Sequence, residues 1–483
     1  MRNIIVIVIL CLLLSMGLGF DVELNYKHNL SVCALLISLF LLSGNKNIKL
    51  YFILPLLVLP VIYFTTGMVY GRLNNGILMS LFETNIRESL EFITVIPMLF
   101  IFLNILLLIV LILYVGYVEF KFNKRLIYVG LVLFVISPVG DFYKKVSPLS
   151  ALKESETLKE SLLIKPSWDI TANHSKYDDY VLIIGESMRK DYMSAYGYAL
   201  NTTPFLKKTN GFFLDGYLST SPNTTTSLPR TLSISDFKNV EINNTIITLA
   251  NKSGFDTTWI SNQGFVGEFD TAISMVAQRS KNKFFLKLGG SKSRNINDAA
   301  ILPIFAKELN KQTTKKRLFV LHLMGSHPNF CKRIKKDIYN LDNQQLSCYL
   351  SSYTATDNVI KNVINKLKER KRSYSLIYFS DHGLNESGTE QDSQLHIGNK
   401  HLSNYSIPFI RLSSDDTRRI TVKNNVSAFH FLSIFSDWIG VKTKQIPDFD
   451  IAKKEKYVYV FDWNKMIEVN TLLLDPTIVV PIK

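Results

Sequence analysis

The chain has 483 residues, a formal net charge of +15 and a pI near 9.3. That length admits two domains with a sizeable core, and the charge raises the question of nucleic acid. Its Lys and Arg residues are scattered without helix-turn-helix or zinc-finger spacing, so no nucleic-acid partner is expected, and a basic protein held beside anionic lipid head groups accounts for the charge. Apolar residues crowd the first third, so a membrane part followed by a globular part is the simplest organisation.

Five apolar runs are predicted to be spans: Ile4–Phe20, Leu30–Ser43, Leu50–Tyr70, Ile93–Tyr117 and Leu126–Val139. No A-x-A-like cleavage site follows Phe20, so the first run is read as an anchor and not a signal peptide. Loops carrying Lys46 and Lys49, and Lys121, Lys124 and Arg125, are basic. The alternate loops are acidic or mixed, with Asp21 and Glu23 in one and Glu83, Glu88 and Glu91 in the other. Basic loops stay cytoplasmic, which with five spans puts everything after Val139 outside. The expected location is therefore a bacterial inner membrane, crossed several times, with the soluble part in the periplasm. Between the third and fourth runs, Phe82, Ile86 and Leu90 recur every four residues, predicting an interfacial amphipathic helix over Leu81–Phe92.

Residues 1–140 thus form a five-span domain, 141–177 a helical linker lying along the membrane, and 178–483 a soluble domain. From Asp178 short apolar strands alternate with helices. Strands are predicted at Tyr180–Ile184, Thr257–Ser261, Leu318–Met324, Ser375–Ser380 and Ile407–Leu412, and helices at Asp298–Lys311, Ser351–Arg370 and Val426–Ile439. This pattern predicts an α/β domain around a largely parallel central sheet. Cys11 and Cys33 fall inside apolar runs, whereas Cys331 and Cys348 lie in the soluble part. In an oxidising compartment the latter two are expected to form a disulfide, closing a loop worth roughly 3 kcal/mol.

Parallel sheets bind ligands beyond the carboxyl ends of their strands. There the sequence places Gly185-Glu186-Ser187 after the first strand, His322 and Gly325-Ser326-His327 on and after the third, and Asp381-His382-Gly383 after the fourth. Adjacent Asp and His at a strand end suit a borderline divalent metal such as zinc, and Glu186, His327 and His396 strengthen that reading. The run Ser221-Pro-Asn-Thr-Thr-Thr-Ser-Leu-Pro-Arg230 offers hydroxyls beside a predicted helix start, where metal stabilisation of the anion makes a competent nucleophile.

The string Ile184-Gly-Glu-Ser-Met-Arg-Lys-Asp191, with Tyr196-Gly-Tyr198 and Asn201-Thr-Thr-Pro204, resembles the opening motif of the phosphoethanolamine transferases. These belong to the alkaline-phosphatase/sulfatase superfamily. Asn223–Pro229 resembles their nucleophile loop, Leu321–His327 their substrate-histidine loop, Ser380–Gly383 the metal pair and Leu395–Gly398 the last histidine. The resemblance implies a membrane-anchored enzyme in which Glu186, Asp381, His382 and Thr224 hold zinc. Thr224 would be the nucleophile by its distance from Pro229, with Thr225 and Thr226 left as alternatives by the residues alone. It also implies that His327 and His396 bind the phosphoryl group or a second zinc, that His396 protonates the leaving group, and that His322 and Asn262 contact substrate. The donor would be phosphatidylethanolamine and the acceptor an envelope glycan, lipopolysaccharide at a core sugar or lipid A, or alternatively a periplasmic glucan. Members that modify lipid A typically bracket the nucleophile loop with cysteines, where this chain has Thr220 and Arg230, a departure that favours core sugars or glucans. The rival readings are a phosphoglycerol transferase of the lipoteichoic-acid-synthase type, a sulfatase and an inactive membrane scaffold. Ser227-Leu-Pro-Arg-Thr231 places its Arg one residue early for a sulfatase.

Overall fold

The computed structural model describes residues 1–19, 26–73, 96–146, 164–235, 239–265, 272–288, 296–387 and 393–475. The chain divides into an N-terminal helical unit and a C-terminal α/β unit near residue 152.

In the helical unit the apolar runs become helices at Arg2–Gly17, Tyr26–Leu42, Leu54–Tyr70, Met98–Tyr117 and Lys124–Ile136, the last followed by Pro138–Val146. Lys46–Met68 and Met98–Tyr117 are each long and apolar enough to cross a membrane. The pair after Lys124, bent by 54°, would make a third if it is one span, and Arg2–Gly17 and Asn29–Leu42 are shorter apolar helices. Lys49, read from sequence as a loop charge, is buried, and its ammonium donates to the Tyr114 and Val118 carbonyls at the end of a neighbouring helix. Such capping satisfies carbonyls that a helix terminus leaves unpaired. The predicted interfacial helix at Leu81–Phe92 and residues 147–163 of the linker predicted over 141–177 lie outside the described residues. Of the linker's remainder, 141–146 belong to the helix Pro138–Val146, whereas 164–177 are not helical and include a strand, Ile170–Asn173, paired with Val441–Thr443.

The α/β unit is built on eight strands, β1 Asp179–Gly185, β2 Gly211–Leu218, β3 Asp256–Phe265, β4 Asn282–Leu288, β5 Arg317–His322, β6 Tyr374–Ser380, β7 Phe409–Ser413 and β8 Arg419–Ser427. Their order across the sheet is β8-β2-β7-β6-β1-β5-β3-β4. Only β7 runs against its neighbours; every other pairing is parallel.

Every residue of β1, β5 and β6 is buried because helices cover both faces of the sheet. Alternate residues serve alternate faces. Val181, Ile183, Phe319, Leu321 and Tyr378 join one core with the long helix Gln344–Glu369. Tyr180, Leu182, Ile184, Val320 and Phe379 join the other with the helices Thr224–Leu232 and Phe431–Trp438. Three of these eight strands were not expected from sequence. β8 and β4 are sheet edges, partly polar (RITVKNNVS and NKFFLKL), and β2 carries Asp215 and Gly216 in its interior, which mask its alternation.

Candidate active site

The two central strands β1 and β6 run side by side and end together, with Gly185 opposite Ser380. The chain leaves β1 through Glu186 and Ser187, and leaves β6 through Asp381 and His382, so adjacent strand ends deliver all four side chains to one place. Ser187 adopts φ 55°, an uncommon conformation outside glycine. The turn lets its backbone N–H donate to Asp381 Oδ1 at 3.0 Å and its hydroxyl donate to Glu186 Oε1 at 2.7 Å. Asp381 Oδ1 also accepts the His382 N–H at 2.8 Å, which leaves Oδ2 directed at the shared space. The His382 Nδ1 lies 2.8 Å from the Gly383 carbonyl, and that pairing puts the ring proton on Nδ1 and frees Nε2 as a ligand.

Thr224 opens the helix Thr224–Leu232 and meets this cluster. Its Oγ1 lies 2.6 Å from Asp381 Oδ2 and 3.0 Å from Glu186 Oε2. The two neighbouring hydroxyls are engaged elsewhere. Thr225 Oγ1 accepts from the Asn223 amide at 3.1 Å, and Thr226 Oγ1 donates to Ser221 Oγ at 2.6 Å and pairs with Asn223 Oδ1. Geometry thus separates three threonines that composition cannot. The N-terminal end of this helix has no side-chain cap from Asn223, and the backbone N–H groups of such a first turn, which no intrahelical carbonyl can bond, suit an anionic phosphoryl group.

Glu186, Asp381 and His382 are each about 1% exposed, and their ligand atoms lie within 4.8 Å of one another. Burial and the neighbouring Glu186 carboxylate push Asp381 up to about 7. Burial would lower His382, but Asp381 and Glu186 beside it raise it to about 9, and His382 in turn holds Glu186 below the usual carboxylate range against burial. Two dry carboxylates facing each other with one imidazole are strongly destabilised without a cation. The mixed N/O donor set, with Thr224 Oγ1 as a fourth atom, fits a divalent metal ion.

The remaining predicted site residues are placed differently from one another. Asn262 is fully buried, and its amide donates to the Ile296 carbonyl and to Asp298 Oδ1. Asp298 accepts the Met324 and Gly325 N–H groups, so Asn262 braces the loop that carries His327 and is not presented to a substrate. Its neighbour Gln263, not singled out from sequence, reaches the site instead: its amide donates to Glu186 Oε2 at 3.3 Å and to the Leu323 carbonyl at 2.8 Å. The strand-end rule that found Glu186 would have found Gln263 too, because β3 carries it beside the end of β5.

His322 is 2% exposed, packed edge-on to Trp259, with Nε2 unpaired among the described residues. In this structure it is an interior residue and not a group open to substrate. Burial lowers its pKa to about 4. His327 follows Gly325, whose φ is +48° and where a Cβ would stand 2.8 Å from the Glu186 nitrogen, so only glycine lets this loop approach the site. His396 ends a short strand, Gln394–His396, paired with Asn385–Ser387, and burial together with His401 lowers its pKa. The compact ligand cluster does not include His327 or His396. Cys331 and Cys348 are joined by a disulfide.

The sequence pattern of the family described as Sulfatase matches residues 178–441. The phosphoethanolamine transferase OpgE of Escherichia coli is 32% identical, the match covering 90% of this chain and 88% of that protein. A Haemophilus influenzae protein is 38% identical over 69% of this chain and 74% of its own length. Among solved structures, the integral membrane lipooligosaccharide phosphoethanolamine transferase A (EptA) of Neisseria meningitidis matches with a TM-score of 0.65, covering 91% of this chain and 97% of that one. At 16% identity that match speaks for the fold. The family pattern spans the whole strand-end site, and the similarity to OpgE runs through the apolar helices as well; the chain is therefore a membrane-anchored member of the phosphoethanolamine transferases, built on the sulfatase fold of the alkaline-phosphatase superfamily.

Proposed function

We propose that the protein transfers phosphoethanolamine from phosphatidylethanolamine to a glycan of the cell envelope by double displacement through Thr224. Lipopolysaccharide is the acceptor in this reading, with a periplasmic glucan as the alternative. The observation that carries it is the single threonine hydroxyl set against two buried carboxylates at the start of a helix. Glu186, Asp381, His382 and Thr224 would hold zinc, which when bound would lower the pKa of the hydroxyl and offset charge on the phosphoryl oxygens.

In the first step Thr224 Oγ1 bonds to phosphorus while the bond from phosphorus to the diacylglycerol oxygen breaks, and the Thr224 proton passes by way of solvent to the neutral His396 imidazole. The departing oxygen takes up a proton, handed on by His396, and diacylglycerol leaves. In the second step an acceptor hydroxyl gives its proton to His396 and bonds to phosphorus, and Thr224 Oγ1 departs and recovers a proton. The lowered pKa of His396 keeps it neutral near pH 7, as a base for the second step requires. A bilayer donor accounts for the membrane anchor, and the charge of the loops supports five spans with the catalytic unit in the periplasm of a bacterial inner membrane.

The test is mass spectrometry of lipopolysaccharide and periplasmic glucans from cells with and without the protein, grown with head-group-labelled phosphatidylethanolamine. Label should appear on one of these glycans only when the protein is present. Label entering from phosphatidylglycerol instead would establish the phosphoglycerol transferase reading.

A further inference from the structure

The stretch matched by the family pattern stops at residue 441, yet the nucleophile turn is held by a segment beyond it. Strands Tyr459–Phe461 and Met466–Glu468 form an antiparallel hairpin whose connecting turn carries Trp463. The hairpin is anchored by Val458 and Val460 packed with Leu218 and Tyr405. From there it meets the turn before Thr224 at two points and the helix that follows at a third. The Phe461 N–H donates to the Thr220 carbonyl at 2.8 Å, the Arg230 guanidinium stacks over the Phe461 ring at 4.3 Å, and the Trp463 indole N–H donates to Asn223 Oδ1 at 2.9 Å. On its other side the Asn399 amide donates to the Asp462 carbonyl, tying the hairpin to the segment three residues past His396.

Two features single out Trp463. It is 2% exposed, and it sits at φ 76°, a left-handed conformation that a bulky side chain rarely adopts. Such a conformation persists only where surrounding structure over-determines it, and it concentrates at functional sites. Its one polar atom is spent on Asn223, which directly precedes Thr224. The Asn223 carboxamide is the hub of the turn, because its oxygen also meets Thr226 and its nitrogen donates to Thr225. As a helix N-cap, Asn223 would ordinarily turn its oxygen to the helix's own N–H groups, but here it makes no such bond.

We infer that Trp463 is a positioning residue that fixes Asn223 and, through it, holds the Thr224 hydroxyl in register with Glu186 and Asp381. The inference rests on the reading of Thr224 as nucleophile. An indole N–H on a rigid, buried ring sets the carboxamide plane, and the carboxamide in turn holds the decoy hydroxyls away from the cluster. The reacting oxygen then needs no rearrangement before attack, and small losses of such alignment are expensive in rate.

The experiment uses the full-length protein in phosphatidylethanolamine vesicles and follows single-turnover release of diacylglycerol, which needs no acceptor. Trp463→Phe keeps a packed ring and loses the N–H. Its rate constant should fall about tenfold, with the lipid concentration at half-maximal rate and the bound metal unchanged. Asn223→Ala should lose at least as much, and the double variant should be no slower than Asn223→Ala alone, since one residue acts through the other. A Trp463→Phe rate within about twofold of the parent, or multiplied losses in the double variant, overturns the inference. Thr224→Ala in the same assay separates the two claims: if it is inactive while Trp463→Phe is unimpaired, only the positioning role fails, and if it is active, the nucleophile reading fails.

Discussion

Three adjacent threonines carry the same hydroxyl, and the structure expects them to behave in three different ways. Thr224→Ala removes the oxygen that faces Asp381 at 2.6 Å and Glu186 at 3.0 Å, and the Thr225 and Thr226 hydroxyls are bonded elsewhere. Loss of a covalent nucleophile costs about four orders of magnitude or more in turnover. Thr225→Ala deletes one half-exposed hydrogen bond from Asn223, worth about 1 kcal/mol, so activity should fall no more than about fivefold. Thr226 is 3% exposed, and its removal takes the Ser221 hydroxyl's partner and one of the several bonds of the Asn223 carboxamide, at a cost of about 1–3 kcal/mol that should appear mainly in stability. Thr224→Ser restores a hydroxyl with more rotamer freedom and should return activity to within about tenfold. The assay is head-group transfer in vesicles, with the denaturation midpoint measured beside it, and with mass spectrometry of protein incubated with donor lipid alone to locate the adduct. An adduct on Thr225 or Thr226, or a Thr224→Ala variant keeping more than about a tenth of the parent rate, would refute the reasoning.

Purified protein should contain at least one zinc per chain, and Asp381→Ala should lose most of it. Gln263→Ala, which removes the amide that orients Glu186, should weaken metal affinity about 10- to 100-fold as read by competition with a chelator. Full metal occupancy in Asp381→Ala would count against the site. Reducing the Cys331–Cys348 disulfide, whose ends are 17 residues apart, should lower stability by about 3 kcal/mol in denaturant titrations, and Cys331→Ser/Cys348→Ser protein should show no response to reductant. His322 gives a pH signature of defined sign. Burial lowers its pKa from 6.5 to about 4, so below pH 6.5 the unfolded chain takes a proton that the folded one refuses. Its contribution is whole above pH 6.5, is down by about 2 kcal/mol at pH 5, and is lost as the pH falls through 4. His322→Gln should flatten that slope in unfolding followed by tryptophan fluorescence; an unchanged slope would show that His322 is protonated freely in the folded state.

Local pattern carried much of the architecture. Runs such as Met98–Tyr117 announce a helix because nothing but an internally bonded helix satisfies so many amide groups among apolar side chains. Strands β1, β5 and β6 are legible because they are buried on both faces and therefore continuously apolar. Their carboxyl ends then identify Glu186, Asp381 and His382 as neighbours, since a parallel sheet gathers those ends along one edge. The edge strands β4 and β8 were hidden by their half-solvated composition. What the tertiary structure alone decided is which of several chemically equal residues faces the cluster. Thr224 and Asp381 are 157 residues apart, and Thr224 prevails over Thr225 and Thr226 because Trp463, 240 residues beyond Asn223, helps set the carboxamide that holds the other two. Gln263 displaces Asn262 for the same kind of reason: both lie past the last β3–β5 pair, Ser261 with His322, where the pairing of β3 with β4 is irregular, and only the folded backbone there settles which of the two meets Glu186. Lys49 follows the same logic in the helical unit, where its charge reads as a loop until a neighbouring helix end supplies the carbonyls that bury it.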